Sequence, residues 1–237
     1  MNRIHLISGP RNLSTALMYS FGNRSDTQIL DEPFYAYYLH SNEEVKHPGR
    51  TEIISSQSIS YDEVVTRLMN QGSKDENLFI KNMAHHLENS DWSFLKHCKN
   101  ILLIRHPKQL IASFAQIIPN PKMRDIGLKI EHDILTYLIT EQVPFCVIDS
   151  KDLLASPQQF LIKLCAFLDI SFDENMLSWP KGPRSEDGVW AKYWYRNVHQ
   201  TCGFQLQSTS SRTFPTELAP LLKEAMSYYN ILSEYKI

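Results

Sequence analysis

Polar and cationic residues follow the first apolar run of the chain, residues 4–7, and are suited to binding an anion. The segment reads Ser8-Gly9-Pro10-Arg11-Asn12-Leu13-Ser14-Thr15 and opens into a helical pattern. A loop that enters a helix from a strand presents free backbone N–H groups and the positive end of the helix dipole, which together bind phosphate or sulfate. Arg11 adds a positive charge, and the hydroxyls of Ser14 and Thr15 add donors. For Ser14 alone, the alternative is an ordinary helix N-cap.

The same loop departs from the nucleoside-triphosphatase pattern G-x-x-x-x-G-K-[ST]. Counted from Gly9, the pattern requires Gly-Lys-Ser/Thr where the chain has Ser14-Thr15-Ala16. The lysine that bridges the phosphates and the hydroxyl that binds magnesium are therefore both missing from their places. A kinase or nucleotidase remains an alternative, because the apolar segment 145–148 is followed by Asp149, an acid that could bind magnesium.

A second candidate anion site follows the apolar run at 101–104. Arg105 comes directly after this run, and Pro107 is typical of the first residue of a helix. Ser113 lies about two helical turns further on, so its hydroxyl and the Arg105 guanidinium are expected to converge on one anion. The alternative for Arg105 is an ion pair with a buried carboxylate.

These residues need a scaffold, and the alternation of short apolar runs with longer helical patterns predicts one. The runs lie at 4–7, 28–30, 78–80, 101–104 and 144–148, and the helical patterns at 14–21, 61–70, 91–97, 107–117, 123–141 and 157–168. This order predicts an α/β fold over a single domain, 1–237, with three layers: a mostly parallel sheet and helices on both faces. Ligands of such sheets bind at the carboxyl ends of the strands, where both candidate anion sites fall.

The last third of the sequence has a different character. A Trp-, Tyr- and Pro-rich stretch at 179–204 precedes a polar loop at 205–213 and a terminal amphipathic helix that begins near Thr216. We predict that 179–213 forms an irregular flap. Its aromatic residues are expected to line an acceptor site or simply to pack on the sheet: Trp190, Tyr193, Trp194 and Tyr195. The polar segment 40–57 is predicted to be a mobile loop over the same site.

Composition limits the possible functions. The 237 residues carry 24 Lys and Arg against 26 Asp and Glu, a formal net charge of -2, which argues against general nucleic-acid binding. Apolar stretches are too short for a membrane span or a signal peptide, and the four cysteines are scattered, so we expect a cytoplasmic protein. His85 and His86 form the only histidine doublet; on a strand they would point to opposite faces, so no metal site is expected. The oligomeric state is left open.

The segments described above resemble the sulfotransferases that use 3′-phosphoadenosine 5′-phosphosulfate, over roughly residues 3–190. Gly9 to Thr15 is similar to the family's 5′-phosphosulfate loop, with Arg11 in place of its usual lysine or arginine, and Arg105 with Ser113 is similar to its 3′-phosphate motif. The resemblance implies the P-loop NTPase-like sulfotransferase fold, with the donor bound by Arg11, Asn12, Leu13, Ser14, Thr15, Arg105, Ser113 and Arg184. Arg184 is included because Gly182 to Trp190 resembles a family element that closes over the 3′-phosphate.

The resemblance also implies catalytic residues. Lys81 matches a family lysine that faces the sulfuryl group, but the catalytic histidine expected two residues later is Met83 here. In other branches a glutamate after the second strand is the base, so Glu32 is the leading candidate and His85 the reserve; helix capping is the alternative for Glu32. The implied activity is sulfuryl transfer from 3′-phosphoadenosine 5′-phosphosulfate, without a metal, to a hydroxyl or amine of a small molecule or glycan. Met83 also leaves open a nucleotide-binding module without turnover.

Overall fold

A parallel β-sheet of five strands organises the computed structural model, which describes residues 2–72, 76–118, 120–205 and 214–237. The strands pair in the order β2-β3-β1-β4-β5. Their bounds are Arg3–Ser8 (β1), Thr27–Asp31 (β2), Asn77–Met83 (β3), Lys99–Ile104 (β4) and Phe145–Asp149 (β5). Each predicted apolar run coincides with one of these strands, apart from Pro144, which precedes β5, so the predicted α/β fold is confirmed.

Both faces of the sheet are buried, which explains why the strands read as continuous apolar runs rather than as alternating patterns. Leu102 and Ile104 of β4 face one apolar cluster, whereas Ile101 and Leu103 face the other. The helices therefore form a layer on each side of the sheet, as predicted.

The α-helices of the described ranges differ from the predicted patterns mainly in number. Their bounds are Ser14–Gly22 (α1), Tyr35–Ser41 (α2), Arg50–Ser56 (α3), Tyr61–Asn70 (α4), Pro107–Phe114 (α5), Met123–Ile126 (α6), Leu128–Thr140 (α7), Ser150–Ala155 (α8), Pro157–Phe167 (α9), Ala191–Trp194 (α10) and Ala219–Ser233 (α11). Short 3₁₀ helices lie at Ala84–Leu87, Ser93–His97, Glu174–Leu177, Val198–Gln200 and Thr216–Leu218.

Three of the secondary-structure predictions need correction. The pattern at 123–141 is two helices, because Gly127 adopts φ +77° between them, and the pattern at 91–97 is a short 3₁₀ helix. The predicted loop at 40–57 contains helix α3. Arg50, its first residue, donates hydrogen bonds to the carbonyls of Leu39, Asn42 and Val45, which ties this segment to α2.

The predicted flap is irregular where it is described. Between Trp179 and Gln205 it contains α10 and one short 3₁₀ helix, and Ser178 bridges to Gly203. The predicted polar loop, 205–213, lies outside the described residues except for Gln205. Over the described ranges, none of the helices combines the length and apolarity needed to span a membrane.

Candidate active site

The loop from β1 to α1 adopts the backbone shape of an anion site without the usual glycines. Arg11 and Leu13 have φ of 62° and 72°, in the left-handed region that non-glycine residues rarely adopt. Gly9 is required for close packing, because a Cβ there would lie 2.3 Å from the carbonyl oxygen of Ile126. This conformation ends at the first turn of α1, whose N–H groups are available to an anion.

Two buried side chains, Asn12 and Glu131, hold this loop in place. From the sequence, a role was predicted only for Asn12. Asn12 donates from Nδ2 to the Leu103 carbonyl of β4 at 2.9 Å. Glu131 of α7 accepts a 2.6 Å hydrogen bond from the Gly9 N–H, and its burial raises its pKa well above the usual value. Glu131 is 122 residues away in the chain, so local patterns carried no signal for it.

The structure brings Arg11, Arg105 and Ser113 together. Arg11 Nε donates to Ser113 Oγ at 3.2 Å, and Arg105 Nη1 donates to the Arg11 carbonyl at 2.6 Å. Arg105 and Ser113 are buried, with 8% and 2% of their surfaces exposed. Two guanidinium groups and a hydroxyl therefore lie beside the loop, because β1 and β4 are neighbours in the sheet.

Lys81 is the centre of a second buried cluster, which includes the predicted base Glu32. Its Nζ donates to Asp31 Oδ1 at 3.0 Å and also to Glu32 Oε1. Sheet register explains the first contact, since Asp31 of β2 and Lys81 of β3 are paired residues on adjacent strands. Lys81 is fully buried and lines the cleft described below.

The backbone of Glu32 turns its side chain toward Lys81. Successive residues of a strand point to opposite faces, so Asp31 and Glu32 would ordinarily diverge. Glu32 instead has φ 41°, and its main chain is held by the Lys81 carbonyl at 2.7 Å and by Gln57 Nε2 at 3.1 Å. A strained non-glycine residue fixed in this way is typical of a functional site.

Tyr195, from the flap, completes this cluster. Its hydroxyl accepts hydrogen bonds from Lys81 Nζ at 2.5 Å and from Trp190 Nε1 at 3.1 Å. The hydroxyl oxygen lies 2.8 Å from Asp31 Oδ2 and 3.1 Å from Glu32 Oε1, so its single hydrogen is shared between these two carboxylates. From the sequence, Tyr195 was expected either to line an acceptor site or to pack within the flap, and its contact with Lys81 was not predicted.

The charges of this cluster follow from burial and proximity. Burial raises the pKa of Glu32, and the neighbouring Asp31 carboxylate adds to this, although the Lys81 ammonium opposes it. For Lys81, burial favours the neutral form, but the two carboxylates outweigh it and raise the pKa. Burial and the same carboxylates raise the pKa of Tyr195 well above its usual value, so it stays protonated. Glu32 is therefore a more basic carboxylate than a solvent-exposed glutamate.

His85, the reserve base, lines the same cleft but is a poor proton acceptor. It is 5% exposed, and burial lowers its pKa well below the usual value. The expectation that His85 and His86 point to opposite faces of a strand is wrong. They lie in a 3₁₀ helix just after β3, so both rings enter one aromatic cluster, with centroids 4.5 Å apart.

The structure does not bring Arg184 to the predicted phosphate site. Its Nη1 donates to the Tyr19 carbonyl of α1 at 3.1 Å, and its guanidinium lies over the Tyr19 ring. Among the described residues that line the cleft, Arg184 does not occur. The resemblance of its motif to the family element predicted a contact with the 3′-phosphate. In the structure, 184–187 forms a tight loop, in which the Arg184 N–H donates to the Asp187 carboxylate.

Asp149, the acid that supported a kinase, has structural partners. Its carboxylate accepts from Tyr229 Oη at 2.6 Å and caps α8 through the Lys151 N–H at 2.8 Å. It is also outside the described residues that line the cleft. This placement removes the specific support for the kinase alternative.

One cleft at the carboxyl edge of the sheet joins the two clusters. Its lining includes the loop from Pro10 to Ala16, together with Arg105, Lys81, Glu32 and Tyr195. The lining includes five of the predicted donor-site residues: Arg11, Asn12, Leu13, Ser14 and Thr15. Ser113 lies next to the cleft and is hydrogen-bonded to Arg11. Of the predicted aromatic wall, Trp194 and Tyr195 line the cleft, whereas Trp190 is buried behind them and Tyr193 is 40% exposed.

A parallel sheet with a strand-to-helix loop after β1 and an arginine after the neighbouring strand β4 defines the α/β class with a P-loop-like fold. The sulfotransferase domain family matches residues 2–235 of the chain, and the chain therefore belongs to this family.

Solved sulfotransferases share the fold at low sequence identity. The sulfotransferase domain of the Synechococcus PCC 7002 olefin synthase is 19% identical, with a TM-score of 0.59 over 97% of this chain and 94% of that chain. Mouse sulfotransferase SULT7A1, solved in complex with PAP, is 12% identical, with a TM-score of 0.54 over 99% of this chain and 89% of that one.

Two curated Arabidopsis thaliana proteins are more similar in sequence. They are named branched-chain-amino-acid aminotransferase-like proteins 1 and 2, and each is 35% identical over 98% of this chain. The chain spans about two-fifths of their length, 42% and 41%.

Proposed function

We propose that the chain transfers a sulfuryl group from 3′-phosphoadenosine 5′-phosphosulfate to a hydroxyl or amine of an acceptor. One observation carries the proposal: the same cleft contains the anion-binding loop with its arginines and the buried carboxylate of Glu32, whose pKa is raised. A phosphate-rich donor at one end and a proton acceptor at the other are the two requirements of such a transfer.

The donor end has residues that fit two phosphate positions. Amides of the loop and the Arg11 guanidinium would hold the 5′-phosphosulfate, and Arg105 with Ser113 would hold the 3′-phosphate. A sulfuryl group carries less negative charge than a phosphoryl group, so these side chains suffice to stabilise the charge that develops on the leaving oxygen.

At the acceptor end, Glu32 would take the proton as the acceptor oxygen or nitrogen attacks sulfur. The bond from sulfur to the 5′-phosphate oxygen breaks, and the nucleotide 3′,5′-bisphosphate leaves. Lys81 holds Glu32 Oε1, so the carboxylate is oriented before the acceptor binds. The Tyr195 hydroxyl lies within hydrogen-bond distance of both Asp31 and Glu32, which helps to hold the two carboxylates in place.

Radiolabel transfer tests the proposal. The protein is incubated with sulfur-labelled donor and a panel of hydroxyl and amine compounds, alongside Glu32→Gln, which keeps the shape of the side chain and removes its basicity. We expect labelled product with the unaltered chain and a loss of roughly 10²-fold or more with the variant, as for removal of a general base. Equal rates in both proteins would overturn the role of Glu32.

The alternative, a nucleotide-binding module, gives a different result. It predicts tight binding of the nucleotide bisphosphate with no labelled product from any acceptor. In that case neither the unaltered chain nor Glu32→Gln gives labelled product, because neither protein transfers the sulfuryl group.

A further inference from the structure

A group of aromatic and imidazole rings lines the cleft beside Glu32. We call Tyr35, His47, His85, His86 and Trp194 the ring box; all five line the cleft. Tyr35 stacks on His86 with centroids 4.2 Å apart, and His86 Nδ1 lies 3.8 Å from Glu32 Oε2. His47 contacts both His85 and Trp194 edge-on, at 6.0 Å. The box is therefore the part of the cleft that meets whatever Glu32 deprotonates.

The box carries no positive charge at neutral pH. Burial lowers the pKa of His47 to about 4 and the pKa values of His85 and His86 well below their usual value. Tyr35 stays protonated because burial raises its pKa, and its hydroxyl lies 2.8 Å from His47 Nδ1. The walls are thus ring faces and neutral polar edges.

Cations close to the box are already engaged. Arg124 forms ion pairs with Glu44 and Glu88, at 2.8 Å and 2.5 Å. Arg50 donates to three main-chain carbonyls. Neither arginine is among the described residues that line the cleft.

The charge nearest to the box is net negative. Lys81 lines the cleft, but it is shared between the carboxylates of Asp31 and Glu32. An anionic group placed in the box would lose its hydration and face these carboxylates, while the Lys81 ammonium is already paired with both of them.

The box does retain hydrogen-bonding capacity. His85 Nδ1 and both ring nitrogens of His86 are buried without a hydrogen-bond partner among the described residues. Unpaired buried polar atoms are unfavourable, and a neutral imidazole both donates and accepts, as a hydroxyl does. These nitrogens are covered in this conformation, so a hydroxyl reaches them only when the rings turn toward the cleft.

From this arrangement we propose that the acceptor is an uncharged alcohol or phenol with a flat, apolar body, and that acceptors with a carboxylate beside the hydroxyl are rejected. The proposal rests on the proposed function for the identity of the reaction, and narrows its acceptor. Ring faces stack on a flat body, whereas a sugar needs many more polar partners than the box offers.

Metal binding is the competing interpretation of three clustered histidines. Over the described residues, no three His, Cys, Asp or Glu side chains converge as metal ligands do. The Tyr35 hydroxyl also occupies His47 Nδ1, and the rings meet edge to face. The ligand that fits is therefore organic.

Ligand-observed NMR titration with three matched compounds tests the proposal: 4-methylphenol, 4-hydroxybenzoate and methyl glucoside. Each is titrated with and without 3′-phosphoadenosine 5′-phosphate. We expect 4-methylphenol to bind at least about tenfold more tightly than either of the others, since desolvating an unpaired carboxylate costs more than that factor requires. Equal or tighter binding of 4-hydroxybenzoate or methyl glucoside overturns the proposal.

A charge variant gives an independent readout. His47→Arg places a cation in the box, and His47→Gln is the matched neutral control; His47 is only partly buried, which favours folding of both variants. We expect the arginine variant to shift the preference toward 4-hydroxybenzoate by about tenfold or more relative to the glutamine variant. No shift overturns the argument from charge.

The two proposals fail in different ways. Discrimination in favour of 4-methylphenol without any nucleotide binding would refute the donor and leave the ring box as assigned. Nucleotide binding without discrimination among the three compounds would refute the acceptor class and leave the donor proposal standing.

Discussion

Replacement of Tyr195 by Phe removes one hydroxyl from the centre of the Lys81 cluster and leaves the ring in place. That hydroxyl accepts from Lys81 at 2.5 Å and from Trp190 at 3.1 Å, and it donates to Asp31 at 2.8 Å. A hydrogen bond to a charged group contributes about 1.5–3 kcal/mol, and a buried partner left unpaired costs a similar amount. Because Lys81 and Asp31 keep their ion pair, we expect Tyr195→Phe to lower the free energy of unfolding by about 2–4 kcal/mol.

Urea unfolding with Tyr193→Phe as control measures this loss. Tyr193 belongs to the same flap but is 40% exposed, so its variant should stay within about 0.5 kcal/mol of the unaltered chain. Tyr195→Phe should also raise the pKa of Glu32, because the Tyr195 hydrogen bond lowers it. A base with a higher pKa loses its charge at higher pH, so the acidic limb of kcat/KM should move upward in pH. Equal stabilities of the two variants, or an unmoved acidic limb, would refute the placement of Tyr195.

Three further predictions concern residues outside this cluster. Glu131→Leu leaves the Gly9 N–H unpaired and should cost about 1–3 kcal/mol in urea unfolding, whereas Glu131→Gln keeps the acceptor and should cost less. Arg184→Ala should leave calorimetric affinity for the nucleotide bisphosphate unchanged, because Arg184 bonds the Tyr19 carbonyl; a tenfold loss would contradict this placement. Burial lowers the pKa of His5 to about 3, from 6.5. The unfolded chain therefore takes up this proton first, and stability should fall below pH 6.5. His5 alone should account for roughly 2 kcal/mol of this fall at pH 5, so the fall should be smaller by about that amount in His5→Gln.

The fold was predictable because most of the strands are buried on both faces. Such strands appear as short apolar runs, and the sequence contains one for every strand of the described sheet. Helices α2 and α3 escaped prediction, because α2 begins in an aromatic segment without a capping side chain and α3 lies in a polar one. Their formation depends on tertiary contacts such as those of Arg50 with main-chain carbonyls.

The candidate site was predictable where a motif is local. The loop from Gly9 to Thr15 and the pair Arg105 and Ser113 have fixed spacings, and neighbouring strands bring them together. Tyr195 and Glu131 contact the site from distant parts of the chain, so no spacing indicated their partners. Arg184 demonstrates the opposite case, in which a motif predicted a role that the packing on α1 does not support.

Calorimetric titration with 3′-phosphoadenosine 5′-phosphate, with and without magnesium, tests whether the cleft binds the nucleotide of the proposed sulfuryl donor. The comparison includes Arg105→Ala and, as control, Lys108→Ala, which removes an exposed cation of helix α5, just after Arg105. We predict metal-independent binding that weakens by about tenfold or more in Arg105→Ala and stays unchanged in Lys108→Ala. Absence of binding, or a magnesium-dependent preference for adenosine triphosphate, would contradict it.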